Sequence, residues 1–146
     1  MRELVEDTLK ALGKYSPDAA NLILGTIAQE SAFGKYRKQL GNGPALGICQ
    51  IEPDTFNDCV VNYLNFRHEL KRKVLEVSGV DSFNANDLYL NDRLSICICR
   101  VKYMRNSEAI PNTIEGYANY WKKYYNSEDG KGKPEEFIEN FHRFVV

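Results

Sequence analysis

Apolar residues recur at intervals of three and four along most of this chain, a spacing that predicts a succession of amphipathic helices. The segments with this spacing are residues 2–12, 17–33, 53–75, 90–104, 112–125 and 134–144. Ser16 followed by Pro17 has the residue types of a helix start, and Gly13 and Gly34 are suited to end the first two helices. The pattern therefore predicts a mostly α fold.

Two stretches interrupt the helical spacing. Residues 35–46 contain Gly41, Gly43 and Pro44 and must form a loop, whereas residues 47–51 are too few for a helix and fit a turn or a strand-like piece. Residues 78–86 are polar and separate two helices. No repeat or linker divides the sequence, so residues 1–146 are expected to form a single domain.

Composition and charge narrow the classes of partner. Hydrophobic residues make up 43% and charged residues 27%, which is ordinary for a globular protein, and the net charge of −1 gives no overall attraction to nucleic acid or to an anionic membrane. We interpret the basic residues in 67–73 as a solvated helix face. The charged first residues do not resemble a secretory signal, and no apolar run is long enough to insert stably into a membrane, so we expect synthesis in the cytoplasm.

Cysteine and histidine give no sign of a metal site. The four cysteines allow two disulfides in any of three pairings, but Cys97 and Cys99 stand two apart in a helical pattern and therefore point in different directions. We favour the interpretation that the cysteines are small buried hydrophobic residues. His68 and His142 have no ligand-like partners in the sequence, so we predict neither a metal nor a cofactor.

Glu30 is the strongest candidate for a catalytic residue. Ile23, Ile27 and Glu30 are spaced four and three apart, which places the carboxyl on the apolar face near the helix C-terminus. Burial and the negative end of the helix dipole both raise the pKa of a carboxyl there, as a general acid requires. The alternative is a solvated Glu30 or one paired with Arg37 or Lys38, and charged residues near helix ends are more often of that kind.

A second motif favours the interpretation of Glu30 as a general acid over that of a solvated or ion-paired residue. Glu30-Ser31 is followed, after the loop, by Gly-Ile-Cys-Gln-Ile-Glu-Pro-Asp-Thr at residues 47–55. This order resembles the lytic transglycosylase and goose-type lysozyme superfamily, in which a Glu-Ser at a helix end precedes a Gly-Leu-Met-Gln-Ile-x-Pro-x-Thr segment. The resemblance implies a lysozyme-like α fold with a cleft for the glycan strands of peptidoglycan.

The resemblance also implies roles for individual residues. Glu30 would protonate the oxygen between N-acetylmuramic acid and N-acetylglucosamine. Ser31 would help to hold the site, Gly47 would let the backbone approach the sugar, and Gln50 would line the subsites with its amide; all three are predicted as substrate-binding residues. The alternatives are structural: a small residue at a helix end, a turn glycine and a hydrogen bond that orders the loop.

The third motif of the family, Ala-Tyr-Asn, is not intact in this chain. Tyr117 lies inside a predicted helix and shares a face with Trp121, and we prefer it as the tyrosine near the catalytic acid. Tyr125 is the second candidate, because Tyr125-Asn126 keeps the dipeptide but falls at the helix end. The alternative is that these aromatic residues only build the core.

A second catalytic carboxylate has no motif to support it. Glu52, Asp54 and Asp58 are the candidates in the sequence. The resemblance implies another route, in which the 2-acetamido group of the substrate assists departure and Glu30 then acts as a base. Attack by the muramic 6-hydroxyl leaves a 1,6-anhydro end, and attack by water leaves a reducing end; the shortage of a second carboxylate favours the first.

The predicted function is therefore cleavage of peptidoglycan glycan strands by a lytic transglycosylase or muramidase, with a phage lysis or virion-associated protein as the expected setting. The alternative is a non-catalytic glycan-binding or structural module of the same fold. We expect a monomer. We also expect loop 35–46 to form one wall of the glycan cleft, with Lys35, Arg37 and Lys38 near the anionic peptide stems.

Overall fold

Seven α-helices account for most of the part of the chain that the computed structural model describes, residues 1–126 and 130–146. They are α1 (Arg2–Leu12), α2 (Pro17–Ser31), α3 (Pro53–Asn62), α4 (His68–Ser78), α5 (Asp92–Met104), α6 (Ile114–Trp121) and α7 (Pro134–Phe144). Short 3₁₀ helices span Leu64–Phe66 and Ala85–Tyr89, and a π-helical turn spans Lys122–Asn126. The predicted mostly α fold is confirmed.

Helix α2 lies at the centre and packs against α1, α5, α6 and α7. Its start follows the sequence pattern, because Ser16 Oγ accepts a hydrogen bond from the backbone of Ala19 at 3.0 Å. Nearly every later residue of α2 is buried, as expected for a helix that is apolar on all sides. The glycine at position 25 lets α7 pack closely against α2, because a Cβ at this position would lie 2.3 Å from Cζ of Phe137.

Helix α2 ends at Ser31, two residues before the predicted end at Phe33. Ala32 and Phe33 both adopt left-handed backbone conformations, with φ of 49° and 62°. The backbone N–H of Ala32 donates to the carbonyl of Ile27 and so closes the last turn. This sharp end stops the helix directly after Glu30 and Ser31.

The predicted single helix over residues 53–75 is wrong. Helix α3 ends at Asn62, a 3₁₀ turn follows, and α4 begins at His68. The buried residues explain the break: Cys59, Leu64 and Leu70 are separated by five and six positions, so no single straight helix can turn all three toward the core.

Two other helix starts differ from the prediction. Leu90 is 73% exposed and lies outside α5, whose first turn is capped by Asn91 through a 3.0 Å hydrogen bond from the backbone of Leu94. Helix α6 is capped by Thr113, which accepts from Gly116 N, and not by the Asn one residue earlier. In both cases the residue whose side chain reaches the free N–H of the first turn sets the boundary.

Loop 35–46 is folded back on itself. Isolated antiparallel bridges join Lys38 to Leu46 and Leu46 to Ile51, and the side chain of Gln39 accepts a hydrogen bond from the backbone of Ala45. The loop and the turn after it therefore form one unit beside the C-terminus of α2.

The cysteines lie in the core. All four thiols, those of Cys49, Cys59, Cys97 and Cys99, are free and buried, in agreement with the interpretation of them as small hydrophobic residues. In the described ranges, no helix combines the length and the apolar character needed to cross a membrane.

Candidate active site

A cleft of about 470 Å³ opens at the C-terminal end of α2. Its lining comes from α2, loop 35–46, the start of α3, α5 and the π-helical turn: Glu30, Tyr36, Gln39, Leu40, Ala45, Gln50, Glu52, Thr55, Lys102, Tyr125, Asn126 and Gly130. Loop 35–46 forms one wall of this cleft beside Glu30, and its role toward a glycan stays a prediction. Tyr36 and Leu40 on this wall are 38% and 70% exposed.

Glu30 is the buried carboxyl of this cleft. Trp121, on α6, donates a hydrogen bond of 3.0 Å from its Nε1–H to Glu30 Oε2. Burial raises the pKa of Glu30 to about 7, and this effect outweighs the hydrogen bond from Trp121 and the charge of Lys102, both of which lower it. The alternative pairing with Arg37 does not occur, because that guanidinium binds Asp92. At neutral pH, Glu30 is thus populated in both its protonated and its ionised form.

Ser31 does not reach the cleft. It is fully buried, and its Oγ donates toward the carbonyls of Ile27 at 3.1 Å and Ile48 at 2.7 Å while accepting from Gly34 N at 2.9 Å. Ser31 therefore joins the end of α2 to the turn at residues 47–51. The predicted part of Ser31 in holding the site agrees with these contacts, whereas its predicted place among the substrate-binding residues is corrected, because the side chain is fully buried.

The fold itself requires a glycine at position 47. Its φ is +80°, and a Cβ at this position would lie 2.1 Å from the carbonyl oxygen of Leu88. The close approach that requires glycine is thus to the chain at Leu88, and Gly47 is not among the residues that line the cleft. The expected approach of a sugar to Gly47 stays a prediction.

Gln50 lines the cleft and orders its wall. Its side-chain nitrogen donates to the carbonyls of Tyr36 and Arg37, each at 3.2 Å, and to that of Gly47 at 2.9 Å. Its side-chain oxygen accepts no hydrogen bond from the described residues. Gln50 has a φ of 48°, one of few non-glycine residues in the left-handed region, and such strain is common at functional sites. The loop-ordering alternative is therefore correct for the amide nitrogen.

The preference for Tyr117 over Tyr125 is wrong. Tyr117 Oη donates a hydrogen bond of 2.6 Å to Asp18. Asp18 lies in the first turn of α2, about 18 Å along that helix from Glu30. Tyr125 lines the cleft, and its hydroxyl donates to the carbonyl of Cys49 at 2.5 Å. The π-helical turn after α6 changes the register, so a uniform helical spacing does not locate Tyr125 correctly.

Lys102 is a residue of the cleft that sequence reasoning missed. Its Nζ donates to the carbonyl of Tyr125 at 2.9 Å and lies 3.7 Å from the centre of the Tyr125 ring. Burial lowers the pKa of Lys102, and the nearby acidic groups act in the opposite direction. The available signal was a lysine between Val101 and Tyr103, both buried, in an otherwise apolar stretch of α5. Trp121 was recognised only as an aromatic neighbour of Tyr117.

The candidate second carboxylates lie in different places. Glu52 lines the cleft but is exposed at the start of α3. Asp54 is not part of the lining, and Asp58 lies outside the cleft, in an ion pair with Arg105. Glu52 is therefore the one of the three that shares the cleft with Glu30.

The basic residues of loop 35–46 have partners of their own. Arg37 binds both carboxylate oxygens of Asp92, at 2.5 and 3.1 Å, and the carbonyl of Tyr89. Lys35 and Lys38 lie over the rings of Tyr36 and Tyr89. Arg37 thus anchors the loop, with both of its terminal nitrogens on Asp92, and the expected contact of these basic residues with anionic peptide stems stays a prediction.

The described residues contain no cluster of three or more His, Cys, Asp or Glu side chains that is arranged to hold a metal ion. Comparison of the chain with protein-family models, curated proteins and solved structures found no match.

Proposed function

We propose that the protein cleaves the β-1,4 bond between N-acetylmuramic acid and N-acetylglucosamine in peptidoglycan, with Glu30 as the general acid and base. The observation that carries the proposal is a carboxyl with a pKa raised to about 7, held by a Trp121 N–H in a cleft of about 470 Å³. An acid tuned close to neutral pH in a concave site is the expected arrangement for protonating a leaving group. A phage lysis or virion-associated protein remains the proposed setting.

Glu30 has two tasks in this reaction. Its protonated form donates its proton to the glycosidic oxygen as the bond from that oxygen to the muramic C1 breaks. The resulting carboxylate is stabilised by the N–H of Trp121 and by the charge of Lys102. It then removes a proton from the group that attacks C1, and Glu30 returns to its starting state.

The proposed product is the 1,6-anhydro sugar. Glu52 is exposed and accepts no side-chain hydrogen bond within the described ranges, so nothing holds its carboxylate as a nucleophile needs to be held. Assistance then comes from the 2-acetamido group of the substrate, and the muramic 6-hydroxyl gives up its proton to Glu30. In this route no water enters the product.

Mass analysis of the soluble products from purified peptidoglycan tests the proposal. A lytic reaction releases fragments with 1,6-anhydro ends, and a hydrolytic reaction releases fragments that are heavier by one water. The alternative, a non-catalytic glycan-binding module, gives binding of chitin oligosaccharides without any released fragment. Intact peptidoglycan after prolonged incubation with folded protein would refute the proposed function.

Removal of the Tyr125 hydroxyl is expected to reduce cleavage. Tyr125→Phe leaves the buried carbonyl of Cys49 without its 2.5 Å donor, which disturbs the turn that carries Gln50. The loss of a partner for a buried acceptor costs about 1–3 kcal/mol, so we expect kcat/KM to fall by about tenfold.

Tyr117→Phe is the matched control. It removes the same atom but affects a hydrogen bond to Asp18 at the far end of α2, so kcat/KM should stay within about twofold and the melting temperature should fall slightly. Equal losses of activity in the two variants would contradict the placement of the third motif at Tyr125.

The pH dependence of kcat/KM should follow the protonation state of Glu30. Only protonated Glu30 can start the reaction, so kcat/KM should decline as pH rises through about 7. Lys102→Met removes a nearby positive charge that lowers this pKa, and the decline should therefore move to higher pH. Lys10→Met, on α1, serves as the control and should leave the profile unchanged. A shift of the Lys102→Met profile to lower pH would contradict the assignment.

A further inference from the structure

A second cavity adjoins the candidate active site. Its volume is about 460 Å³, within the range of pockets that hold small ligands. Thr55 and Lys102 line both this cavity and the cleft of Glu30, so the two spaces meet at these side chains. Arg105 and Tyr124 belong to the second cavity alone.

The balance of charge in the second cavity favours an anion. Asp58 also lines it, but its carboxylate is neutralised by the ion pair with Arg105. Lys102 adds a further positive charge at the junction, and no ion pair between described residues involves it. Because an ammonium has three N–H donors and Tyr125 O takes one, Lys102 keeps donors for a ligand.

The shape of the substrate agrees with a side cavity. Each muramic acid carries a peptide stem that leaves the sugar ring sideways, so a cleft that holds the glycan needs a lateral exit for it. The stem bears carboxylates, which Lys and Arg side chains bind through charge-assisted hydrogen bonds. The second cavity meets the cleft of Glu30 at Thr55 and Lys102, and the reacting muramic acid would lie in that cleft, beside Glu30.

We propose that the second cavity binds the peptide stem of the muramic acid, with Lys102 and the N–H groups of Arg105 that Asp58 does not occupy in contact with its carboxylates. This inference rests on the proposed function, because it takes the glycan to lie in the cleft of Glu30. It assigns the substrate class as glycan strands that still carry their peptides. It also moves the anionic contact from loop 35–46 to α5.

Binding to a defined pair of ligands tests the inference. The ligands are a peptidoglycan tetrasaccharide with its peptide stems and the same tetrasaccharide after an amidase has removed them. Affinities are measured by calorimetry with the full chain carrying Glu30→Gln, so that no product forms. We expect about tenfold tighter binding of the stem-bearing ligand, and a preference that shrinks as salt is added.

Variants on α5 locate the contact. Arg105→Gln should reduce the preference to less than about threefold, because it removes one cation and exposes the charge of Asp58. Arg93→Gln is the matched control: it makes the same change at the other end of α5, about 18 Å from Arg105, which directly follows that helix, and it should keep the preference. In the double variant Asp58→Asn/Arg105→Gln the preference should remain reduced.

Three outcomes would overturn the inference: equal affinity for the two ligands, an unchanged preference in Arg105→Gln, or full recovery in the double variant, which would assign the effect to repulsion by Asp58. Failure of the proposed function has a different signature. In that case the wild-type chain releases no fragment from either substrate, whatever the binding preference is.

Discussion

Glu30→Gln is expected to lower the cleavage of purified peptidoglycan by at least about 100-fold, the usual low end for the loss of a general acid. The amide has nearly the size of the carboxyl and keeps an oxygen that can accept the 3.0 Å hydrogen bond from Trp121, but it has no proton to donate to a leaving group. The rate is measured as released soluble fragments per unit time, with circular dichroism to verify the fold.

Stability separates a catalytic loss from an unfolded variant. The folded state raises the pKa of Glu30 from 4.5 to about 7, so it binds the proton more tightly than the unfolded chain does. Wild-type stability must therefore decline as pH rises through this interval. Glu30→Gln has no such proton, and at pH 8 it should melt no lower than the wild type.

Glu115→Gln supplies the matched control, since Glu115 is exposed on α6 and does not line the cleft. It should leave both activity and stability close to the wild type. A folded Glu30→Gln variant that cleaves peptidoglycan at near-normal rate would remove the central claim about this site.

The sequence located the acid and the wall of its cleft because these depend on local features. The spacing of Ile23, Ile27 and Glu30 places the carboxyl on the buried face of one helix, and loop 35–46 must follow wherever that helix ends. Both statements need only the period of a helix and the residues that stop it, and both agree with the structure.

The errors arise where a tertiary contact or a change of period decides the result. The π-helical turn at Lys122–Asn126 moves Tyr125 into the cleft, and no regular spacing predicts it. Lys102 lowers the pKa of Glu30 from α5, which is distant in sequence. The buried polar contacts of Ser31 link elements on either side of a loop, so neither its neighbours nor its periodicity could reveal them.

In the turn at residues 47–51, the structure gives Gly47 a reason that the sequence does not reveal. Glycine at position 47 was expected to serve the substrate, because a motif presents it next to Gln50. The structure assigns it to the fold: the carbonyl of Leu88 occupies the space that a Cβ would need. A motif residue can thus be required by the fold independently of any contact with a ligand.

Gly47→Ala is consequently expected to be strongly destabilising, by about 3 kcal/mol or more. Two costs add. The φ of +80° is unfavourable for alanine, and the new Cβ would lie 2.1 Å from a backbone oxygen, which cannot rotate away as a flexible side chain can. Since about 1 kcal/mol corresponds to about 2–4 °C in a chain of this size, the melting temperature should fall by about 10 °C.

Gly41→Ala isolates the first cost, that of the backbone. Gly41 has nearly the same φ, +81°, but a Cβ added there would meet nothing within 4 Å, so only the backbone strain of about 1 kcal/mol remains. Both substitutions restrict the unfolded chain equally, and that contribution cancels between them. Thermal unfolding of the two variants should therefore differ by the effect of the Leu88 contact alone. Equal melting temperatures would show that the chain at Leu88 can move aside, and that the turn carrying Gln50 is held less rigidly than the 2.6 Å hydrogen bond from Gly47 N to Arg37 O indicates.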